Sequence, residues 1–492
     1  MCGFIGIVDD ASVSGLLSMS LQALQHRGQD SCGIFTYDGA HFPGHRGLGL
    51  VKDVFDQRVV DRLVGSAGIG HVRYPTAGSG VLEDTQPFFE RRPGLIMAHN
   101  GNVTNYEALE ALLRERSIHL VSRCDVEPIL CLFADEVMGQ GSTAHTAEHV
   151  VAAIQATVSA VKGAYSVVFV MEVDGRPTLV AFRDSHGIRP AVVGRAGNAW
   201  CVTSESVALD ALGYSLVGDL APGEVMFFRA GEEPERHLLE VRLSTPCVFE
   251  SIYFSRPDSV ELGRTIYERR LDLGTRLARH FKARGLQADR VIPVPDTSRP
   301  AAIAFGEELG LPCREGFIKN RYSGRTFIMG SQAGREAAVR LKLNLIRSEF
   351  EGQRVVIIDD SIVRGTTIRR LVKSVWEQGP TEVHVAIHAP PVLHPCFYGI
   401  DMSTEAELAA PDYLKAPPRE GGPSIEEQRA MEERWAEDLG VDSLTFLNVR
   451  GLDTVFPASR CAACFDGVYP QPVSEAHKQA IVRDRTCARP PN

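Results

Sequence analysis

Long apolar runs are missing from this sequence, and so are the segments that direct a chain to a membrane. No run approaches the ~20 apolar residues of a membrane-spanning helix, and no basic leader precedes a signal-type segment. Basic charge is also scarce, since 52 Lys and Arg residues face 62 Asp and Glu residues and leave a net charge of −10. Because an acidic surface repels phosphate backbones, we expect no nucleic-acid partner. Because the sequence shows neither a membrane-spanning run nor a signal-type leader, we also expect no membrane association and a cytoplasmic location.

The length of the chain and its cysteines are informative in their own right. At 492 residues the chain is too long for a single core, so two or three domains are expected. A content of 44% hydrophobic and 23% charged residues is typical of a globular protein. In a cytoplasmic chain, 11 cysteines indicate catalysis or metal binding before disulfide bonds.

The most informative stretch runs from Val355 to Thr367. Its first four residues, Val355 to Ile358, are β-branched and predict a strand buried on both faces, as in a parallel sheet. Asp359 and Asp360 follow at the carboxyl end, where open α/β sheets bind ligands. The Ser/Gly/Thr loop after them precedes a predicted helix, whose N-terminal N–H groups and dipole favour a phosphate. A plain helix-capping turn is the alternative, but such a turn requires neither two acids nor three hydroxyls.

This stretch resembles the phosphoribosyl pyrophosphate (PRPP) loop of the phosphoribosyltransferases. The resemblance implies that the two acids face the ribose hydroxyls and a Mg²⁺ ion, and that the loop holds the 5-phosphate. Thr297, in the loop after Val291–Val294, is implied as a third member of the magnesium site. The implied PRPP-binding residues of the stretch are Asp359, Asp360, Ser361, Arg364, Gly365, Thr366 and Thr367.

A second candidate for PRPP binding is the basic and aromatic segment Phe317–Met329. Nucleic-acid contact, a membrane patch, a pyrophosphate clamp and solvated surface are four explanations, and the acidic whole disfavours the first two. A glycine-hinged basic loop suits a lid that closes over pyrophosphate and excludes water. The candidate cations of this lid and of the helix after it are Lys319, Arg321, Arg325 and Lys342.

The first half of the chain offers a nucleophile at its start. The sequence begins Met-Cys-Gly, and the small second residue favours removal of Met1. Removal gives Cys2 a free α-amine, whose pKa near ~8 suits it to accept the thiol proton. A thiol beside its own terminal amine is a complete pair of nucleophile and base.

Five later segments accompany Cys2 in an order that closely resembles the N-terminal-nucleophile glutamine amidotransferases. They are His26–Ser31, Gly70–Gly78, Ala98–Asn105, Asp125–Glu136 and Arg183–Pro190. The resemblance implies that Cys2 attacks the glutamine side-chain amide while the Asn100 side chain and the Gly101 N–H bind the oxyanion. It also implies that Arg73 binds the substrate carboxylate and Asp125 the ammonium group. An ordinary structural charge is the alternative for Arg73 and Asp125.

The pattern of predicted elements divides the chain into two halves. Short strands between residues 164 and 229 fit sheets sandwiched between helices, and alternating strands and helices through His388 indicate a doubly wound α/β domain. With the two resemblances, this implies an α+β N-terminal-nucleophile hydrolase domain (αββα sandwich) followed by an α/β type I phosphoribosyltransferase domain with a parallel sheet. The predicted units are a glutaminase domain (2–235), a phosphoribosyltransferase domain (236–400), a C-terminal extension (401–475) and a tail (476–492). Residues 411–441 are interpreted as a surface insertion.

Together the motifs resemble the family of PRPP-dependent glutamine amidotransferases over nearly the whole chain. The resemblance implies an enzyme that converts glutamine, PRPP and water into 5-phosphoribosylamine, glutamate and pyrophosphate, the first committed step of purine synthesis. It also implies purine nucleotide inhibitors and a homo-oligomer, either a tetramer or a dimer. A sugar-phosphate amidotransferase would share the first half but lack the Asp359–Thr367 pattern. A non-catalytic regulator that senses PRPP would not need Cys2 with its partner residues.

Four cysteines form the last pattern. Cys461 and Cys464 have C-x-x-C spacing, and Cys247 and Cys396 each follow a proline. A lone C-x-x-C fits zinc, a redox pair or no metal. The four positions match the iron–sulfur branch of the family, which implies a [4Fe–4S] cluster. Because the reaction contains no redox step, a structural role is expected.

Overall fold

A computed structural model describes residues 2–74, 81–141, 144–240, 242–319, 343–402 and 404–488. Three of the predicted lid cations, Arg321, Arg325 and Lys342, lie outside these residues. Within the described residues, no helix combines the length and the apolar character needed to cross a membrane.

The first half of the chain contains two antiparallel sheets. The first has seven strands in the order β11-β9-β10-β1-β4-β2-β3, and the second has six in the order β13-β12-β8-β7-β6-β5. The strands are β1 (Gly3–Val8), β2 (Ser31–Tyr37), β3 (Gly44–Leu48), β4 (Ala67–Arg73), β5 (Phe88–Glu90), β6 (Leu95–Val103), β7 (Gly163–Val173), β8 (Arg176–Arg183), β9 (Val192–Ala196), β10 (Ala199–Thr203), β11 (Ser215–Asp219), β12 (Glu224–Phe228) and β13 (Glu235–Leu238). The helices are α1 (Ser14–Ala23), α2 (Val51–Val54), α3 (Gln57–Arg62), α4 (Tyr106–Glu115), α5 (Val126–Gly139), α6 (Ala147–Ala160) and α7 (Val207–Leu212).

Three apolar layers hold these sheets and helices together. Strand β1 shows the arrangement, since Phe4 points into the layer between the sheets while Ile5 and Ile7 pack against α1 on the outer face. The outer face of the second sheet packs against α4, α5 and α6. Side chains alternate between the two faces of a strand, so a central strand that is apolar at successive positions is buried on both faces. The predicted αββα sandwich is confirmed.

The second half is built on a parallel sheet of four strands in the order β16-β19-β20-β21. Its strands, with two short hairpins, are β14 (Val260–Glu261), β15 (Arg264–Thr265), β16 (Arg290–Pro293), β17 (Phe317–Lys319), β18 (Leu343–Leu345), β19 (Arg354–Asp359), β20 (Glu382–Ile387) and β21 (Ser443–Phe446). The helices are α8 (Ile266–Ala283), α9 (Arg299–Leu309), α10 (Thr366–Trp376), α11 (Ile425–Leu439), α12 (Ala463–Asp466) and α13 (Glu475–Ala488). The predicted α/β domain with a parallel sheet is confirmed.

Helix α11 and strand β21 correct one interpretation of the sequence. Residues 411–441 were expected to form a surface insertion, but Met431 and Trp435 of α11 are fully buried in the core of the second half. Trp435 stacks on Phe446 of β21, which pairs with β20 as the fourth strand of the parallel sheet. Charged residues on the outer face of α11 conceal its buried face in the sequence, because an amphipathic helix is polar on average.

A buried ion network joins the two halves. Glu250 of the second half lies 2.9 Å from Nη2 of Arg27 and 3.0 Å from Nη1 of Arg189, both in the first half. Glu205 also pairs with Arg27, and Nη1 of Arg27 donates to the carbonyl oxygen of Cys2 at 3.5 Å. Burial opposes the charge on Glu205, but Arg27, His26 and the hydrogen bond from Ser259 together outweigh burial and lower the pKa of this carboxyl. The network therefore fixes the second half against the strand that begins at the predicted nucleophile.

Candidate active sites

The predicted nucleophile lies buried between the two sheets. Cys2 directly precedes β1, the central strand between β4 and β10, and is 8% exposed. Its thiol donates to the carbonyl oxygen of Tyr74 over 3.7 Å, and its main-chain nitrogen lies 3.4 Å from Oδ1 of Asn100. The topology thus places the thiol next to the end of β4 and next to β6 of the second sheet.

Asn100 presents an unpaired donor to this site. The residue is 1% exposed, and its Nδ2 has no hydrogen-bond partner in the described part of the chain. A buried N–H group without a partner costs about 1–3 kcal/mol, so a group of this kind indicates that a ligand supplies the acceptor. Gly101 follows in β6, where an added Cβ would lie 2.1 Å from the carbonyl oxygen of Ala164. Both predicted oxyanion donors therefore belong to one strand beside the thiol.

Arg73 and Asp125 lie on either side of the same site. Arg73 ends β4 and is 3.7 Å from Asp84, while Oδ2 of Asp125 accepts from the Val103 N–H at 3.1 Å. Burial opposes both charges. The acidic groups around Arg73 nevertheless raise its pKa, and His99, followed by the Val103 N–H and Arg73, lowers the pKa of Asp125. A fixed guanidinium and a fixed carboxylate are the charges that an amino-acid substrate requires.

Two residues that hold Asp125 were not predicted as site residues. Nε2 of His99 lies 3.2 Å from Oδ2 of Asp125, and Nδ1 of His99 lies 3.1 Å from Nε2 of Gln86. Gln86 also accepts from the main-chain N–H of His99 at 2.8 Å. His99 stands in the same motif as Asn100, so its position offered a signal. Gln86 offered none, because its contact depends on the pairing of β5 with β6.

The paired acids of the second half lie at the carboxyl end of β19. The N–H of Asp360 donates to Oδ1 of Asp359 at 2.9 Å, and the Ser361 hydroxyl donates to Oδ1 of Asp360 at 2.6 Å. Burial and the neighbouring Asp360 raise the pKa of Asp359, and burial raises that of Asp360 to about 6 even though Arg270 acts in the opposite direction. Asp360 is buried and Asp359 is half-buried, and two neighbouring carboxyls with raised pKa values are a fitting donor set for a divalent cation, because the cation offsets their charge.

The loop that carries Thr297 lies at the same edge of the sheet. Strand β16 pairs in parallel with β19, and the N–H of Val294 donates to the carbonyl oxygen of Ile358 at 2.8 Å. Thr297 is half-buried in the turn that follows. Lys319 lies beside this turn, with Nζ 3.0 Å from Oδ2 of Asp296. The structure thus brings Lys319 and Thr297 to the loop next to the paired acids.

The predicted phosphate loop begins helix α10. Gly365 precedes the helix with a φ of +70°, a conformation that favours glycine, and Thr366 and Thr367 form its first turn. Arg364 is partly exposed and pairs with a carboxylate, with Nη2 2.7 Å from Oε1 of Glu407. The loop, the first turn of α10 and the paired acids therefore surround one edge of the parallel sheet.

The four predicted cluster cysteines converge on one region of the core. Cys247 and Cys461 face each other in a parallel β-bridge, and all four belong to the same buried apolar cluster. Burial, followed by the other thiols of the group, raises the pKa values of Cys461 and Cys464. Among the described residues, no three His, Cys, Asp or Glu side chains are grouped tightly enough for a single metal ion. Four buried thiols as a donor set fit an iron–sulfur cluster, in which each thiolate binds a separate iron.

Comparisons with known proteins identify relatives over nearly the whole chain. The model of the glutamine amidotransferase domain family matches residues 76–211. The amidophosphoribosyltransferase of Methanothermobacter thermautotrophicus is 40% identical over 96% of this chain and 95% of its own length. That of Escherichia coli is 40% identical over 95% of this chain and 92% of its own. The chain belongs to the amidophosphoribosyltransferase family.

A solved structure of an amidophosphoribosyltransferase has the same fold throughout. The Bacillus subtilis glutamine PRPP amidotransferase, complexed with ADP and GMP, superposes with a TM-score of 0.83 at 36% identity. The match covers 96% of this chain and 98% of the Bacillus chain. The family predicted from the motifs is thereby confirmed, and so is the interpretation of the chain as an enzyme instead of a regulator.

Proposed function

We propose that the protein catalyses the glutamine-dependent amidation of PRPP to 5-phospho-β-D-ribosylamine, with release of glutamate and pyrophosphate. One observation carries the proposal: a single chain holds a buried thiol beside an amide donor without a partner among the described residues, and a pair of neighbouring acids before a loop that begins a helix. The first arrangement suits acyl transfer from an amide, and the second suits a phosphorylated sugar. The relatives that bear the name amidophosphoribosyltransferase support this assignment.

The glutaminase half releases ammonia in this scheme. Removal of Met1 turns the nitrogen of Cys2 into an amine that accepts the thiol proton, and the thiolate attacks the glutamine amide carbon. Nδ2 of Asn100, unpaired among the described residues, and the Gly101 N–H stabilise the oxyanion that forms. Collapse of this intermediate expels ammonia, and water then releases glutamate from Cys2. Arg73 and Asp125 hold the substrate α-carboxylate and α-ammonium throughout.

The transferase half joins that ammonia to C1 of PRPP. Thr297, Asp359 and Asp360 would hold Mg²⁺, which neutralises charge on the pyrophosphate leaving group when bound. The loop residues Ser361, Arg364, Gly365, Thr366 and Thr367 bind the 5-phosphate through N–H groups and hydroxyls at the start of α10. Lys319 binds pyrophosphate in this scheme. The same role is predicted for Arg321, Arg325 and Lys342, which lie outside the described residues.

The four thiols of Cys247, Cys396, Cys461 and Cys464 would hold a [4Fe–4S] cluster in this proposal. Their burial in a single apolar region and their shared donor chemistry support it. Cys461 precedes the short helix α12 and Cys464 lies within it, whereas Cys247 belongs to the segment that carries Glu250. The cluster would therefore anchor the end of the chain to the interface between the halves.

Regulation and assembly complete the proposal. The Bacillus subtilis relative was solved with ADP and GMP, and we propose that purine nucleotides inhibit this protein too. A cytoplasmic homo-oligomer, a dimer or a tetramer, is the assembly that the family resemblance implies. The proposed reaction is the first committed step of purine synthesis.

The deciding experiment is pyrophosphate release from PRPP by protein purified without oxygen. We expect release with glutamine and, separately, with ammonium, because the two half-reactions use different sites. A non-catalytic PRPP sensor would bind PRPP without releasing pyrophosphate from either nitrogen source. That result would contradict the proposed function.

A further inference from the structure

A short segment of the second half, residues 397–399, lies directly against strand β6 of the glutaminase half. Nδ2 of Asn102 donates to the carbonyl oxygen of Phe397 at 2.8 Å, and Asn102 is buried. Asn102 follows the proposed oxyanion donors Asn100 and Gly101 by two positions and one position in the same strand. The contact therefore ties the strand that carries both donors to the other half of the chain.

Gly399 makes the approach still closer. A Cβ added to Gly399 would lie 2.8 Å from the carbonyl oxygen of Gly101 and 3.1 Å from its carbonyl carbon. Real Cβ atoms do not approach a backbone oxygen this closely, so an alanine would displace one of the two backbones. Gly399 also has a φ of +105°, which favours glycine. The backbone of the segment is thus packed on the peptide group between Gly101 and Asn102, which directly follows the Gly101 N–H in β6.

Arg189 holds the segment in this place. Its Nε donates to the carbonyl oxygen of Tyr398 at 2.6 Å, and its Nη1 lies 3.0 Å from Glu250. Its own carbonyl oxygen accepts from the hydroxyl of Ser166, which pairs with Asn100 across β6 and β7. Arg189 therefore connects the segment with the ion network through its guanidinium, and contacts the strand next to the oxyanion donors through its carbonyl oxygen.

We propose that residues 397–399, which we name the β6 brace, position the oxyanion donors of the glutaminase. Gly399 and Asn102 are positioning residues, since they act through Gly101 and Asn100 and need not touch the substrate. The inference rests on the proposed function. Ordinary packing between domains is the alternative, and it would affect stability and both half-reactions together. A brace on the oxyanion donors affects only the step in which negative charge develops.

The test is Gly399→Ala in the full-length protein. Loss of one oxyanion donor costs about 100- to 1000-fold, and a displaced donor costs less, so we expect kcat with glutamine to fall roughly 10- to 100-fold. KM for glutamine should change less than kcat, because Arg73 lies in β4 and Asp125 directly precedes α5, although Asp125 contacts β6 through His99 and Val103. Ammonium-dependent pyrophosphate release should be unchanged. Gly421→Ala is the matched control, since Gly421 has a φ of +87° but nothing within 4 Å of an added Cβ.

A tetrahedral mimic separates positioning from a general disturbance. Glutamate γ-semialdehyde forms a hemithioacetal with Cys2 that mimics the tetrahedral intermediate. Its inhibition constant should therefore rise in Gly399→Ala by about the same factor by which kcat falls. Asn102→Ala is a second variant that removes only the bond to Phe397, and it should show the same pattern at a smaller size. Normal kcat with glutamine in folded Gly399→Ala, or equal losses with glutamine and ammonium, would overturn the brace. A wild-type protein without glutamine-dependent turnover would instead overturn the proposed function, and the brace with it.

Discussion

Replacing Glu250 by Gln tests the ion network between the two halves. The side chain of Glu250 is fully buried and pairs with two buried guanidiniums, Arg27 at 2.9 Å and Arg189 at 3.0 Å. Removing one partner from a buried ion pair costs about 3–5 kcal/mol, and this change removes a carboxylate from Arg189 and from Arg27, whose guanidinium keeps Glu205. For units of this size a loss of 1 kcal/mol lowers Tm by about 2–4 °C, so we expect a decrease of roughly 6–20 °C.

The assay is thermal unfolding followed by circular dichroism and by glutamine-dependent activity after heating. Glu232→Gln serves as the control, since it makes the same chemical change in the pair Arg176–Glu232, whose side chains are 49% and 46% exposed. Exposed pairs contribute about 0–1 kcal/mol, so the control should lose at most a few degrees. Equal Tm values for the two variants would refute the reasoning that burial makes the network strong.

Three further predictions concern the proposed groups themselves. Cys2→Ala should abolish glutamine-dependent turnover and keep ammonium-dependent turnover, and mass spectrometry of active protein should show loss of Met1; retention of Met1 would contradict the amine as base. The raised pKa of Asp360, about 6, means that the metal-free fold loses stability as the pH rises through 6, because ionisation then places a charge on a buried carboxyl. Added Mg²⁺ should therefore raise Tm more at pH 7.5 than at pH 5, and Asp359→Asn/Asp360→Asn should remove this difference together with both turnovers; an unchanged Mg²⁺ response would show that the acids were misassigned. Protein purified without oxygen should be brown with roughly four irons per chain, and Cys461→Ser should be poorly soluble, whereas a colourless protein with stoichiometric zinc would exclude the cluster.

Short motifs in the sequence were sufficient to predict most of the residues now found at the two sites. Asn100 and Gly101 are adjacent in sequence. Asp359 and Asp360 lie at the end of a strand that its β-branched residues predict. Such signals survive folding because neighbours in sequence stay neighbours in a strand or a turn. The approach of Cys2 to Asn100 followed from the resemblance to a family and not from spacing, since the two lie in different sheets.

Contacts between distant elements could not be predicted from the sequence. Nothing in the sequence distinguishes Glu250 from other acidic residues, and only the fold places it between Arg27 and Arg189. Gln86 contacts His99 only because β5 pairs with β6. The same limit explains residues 411–441, because a polar helix with one buried face has the composition of a surface segment. Burial depends on what the rest of the chain places opposite a residue.

The position of β21 affects the order in which the protein is completed during synthesis. This strand pairs with β20, yet α11 and its flanking loops separate the two along the chain. Until Phe446 has left the ribosome, the apolar residues of β20 form an unpaired sheet edge, which is a site for aggregation. All strands of the glutaminase sheets, by contrast, lie before residue 239. The first half can thus fold while the second is still being synthesised. Cys461 and Cys464 are synthesised after β21, the last strand of the parallel sheet.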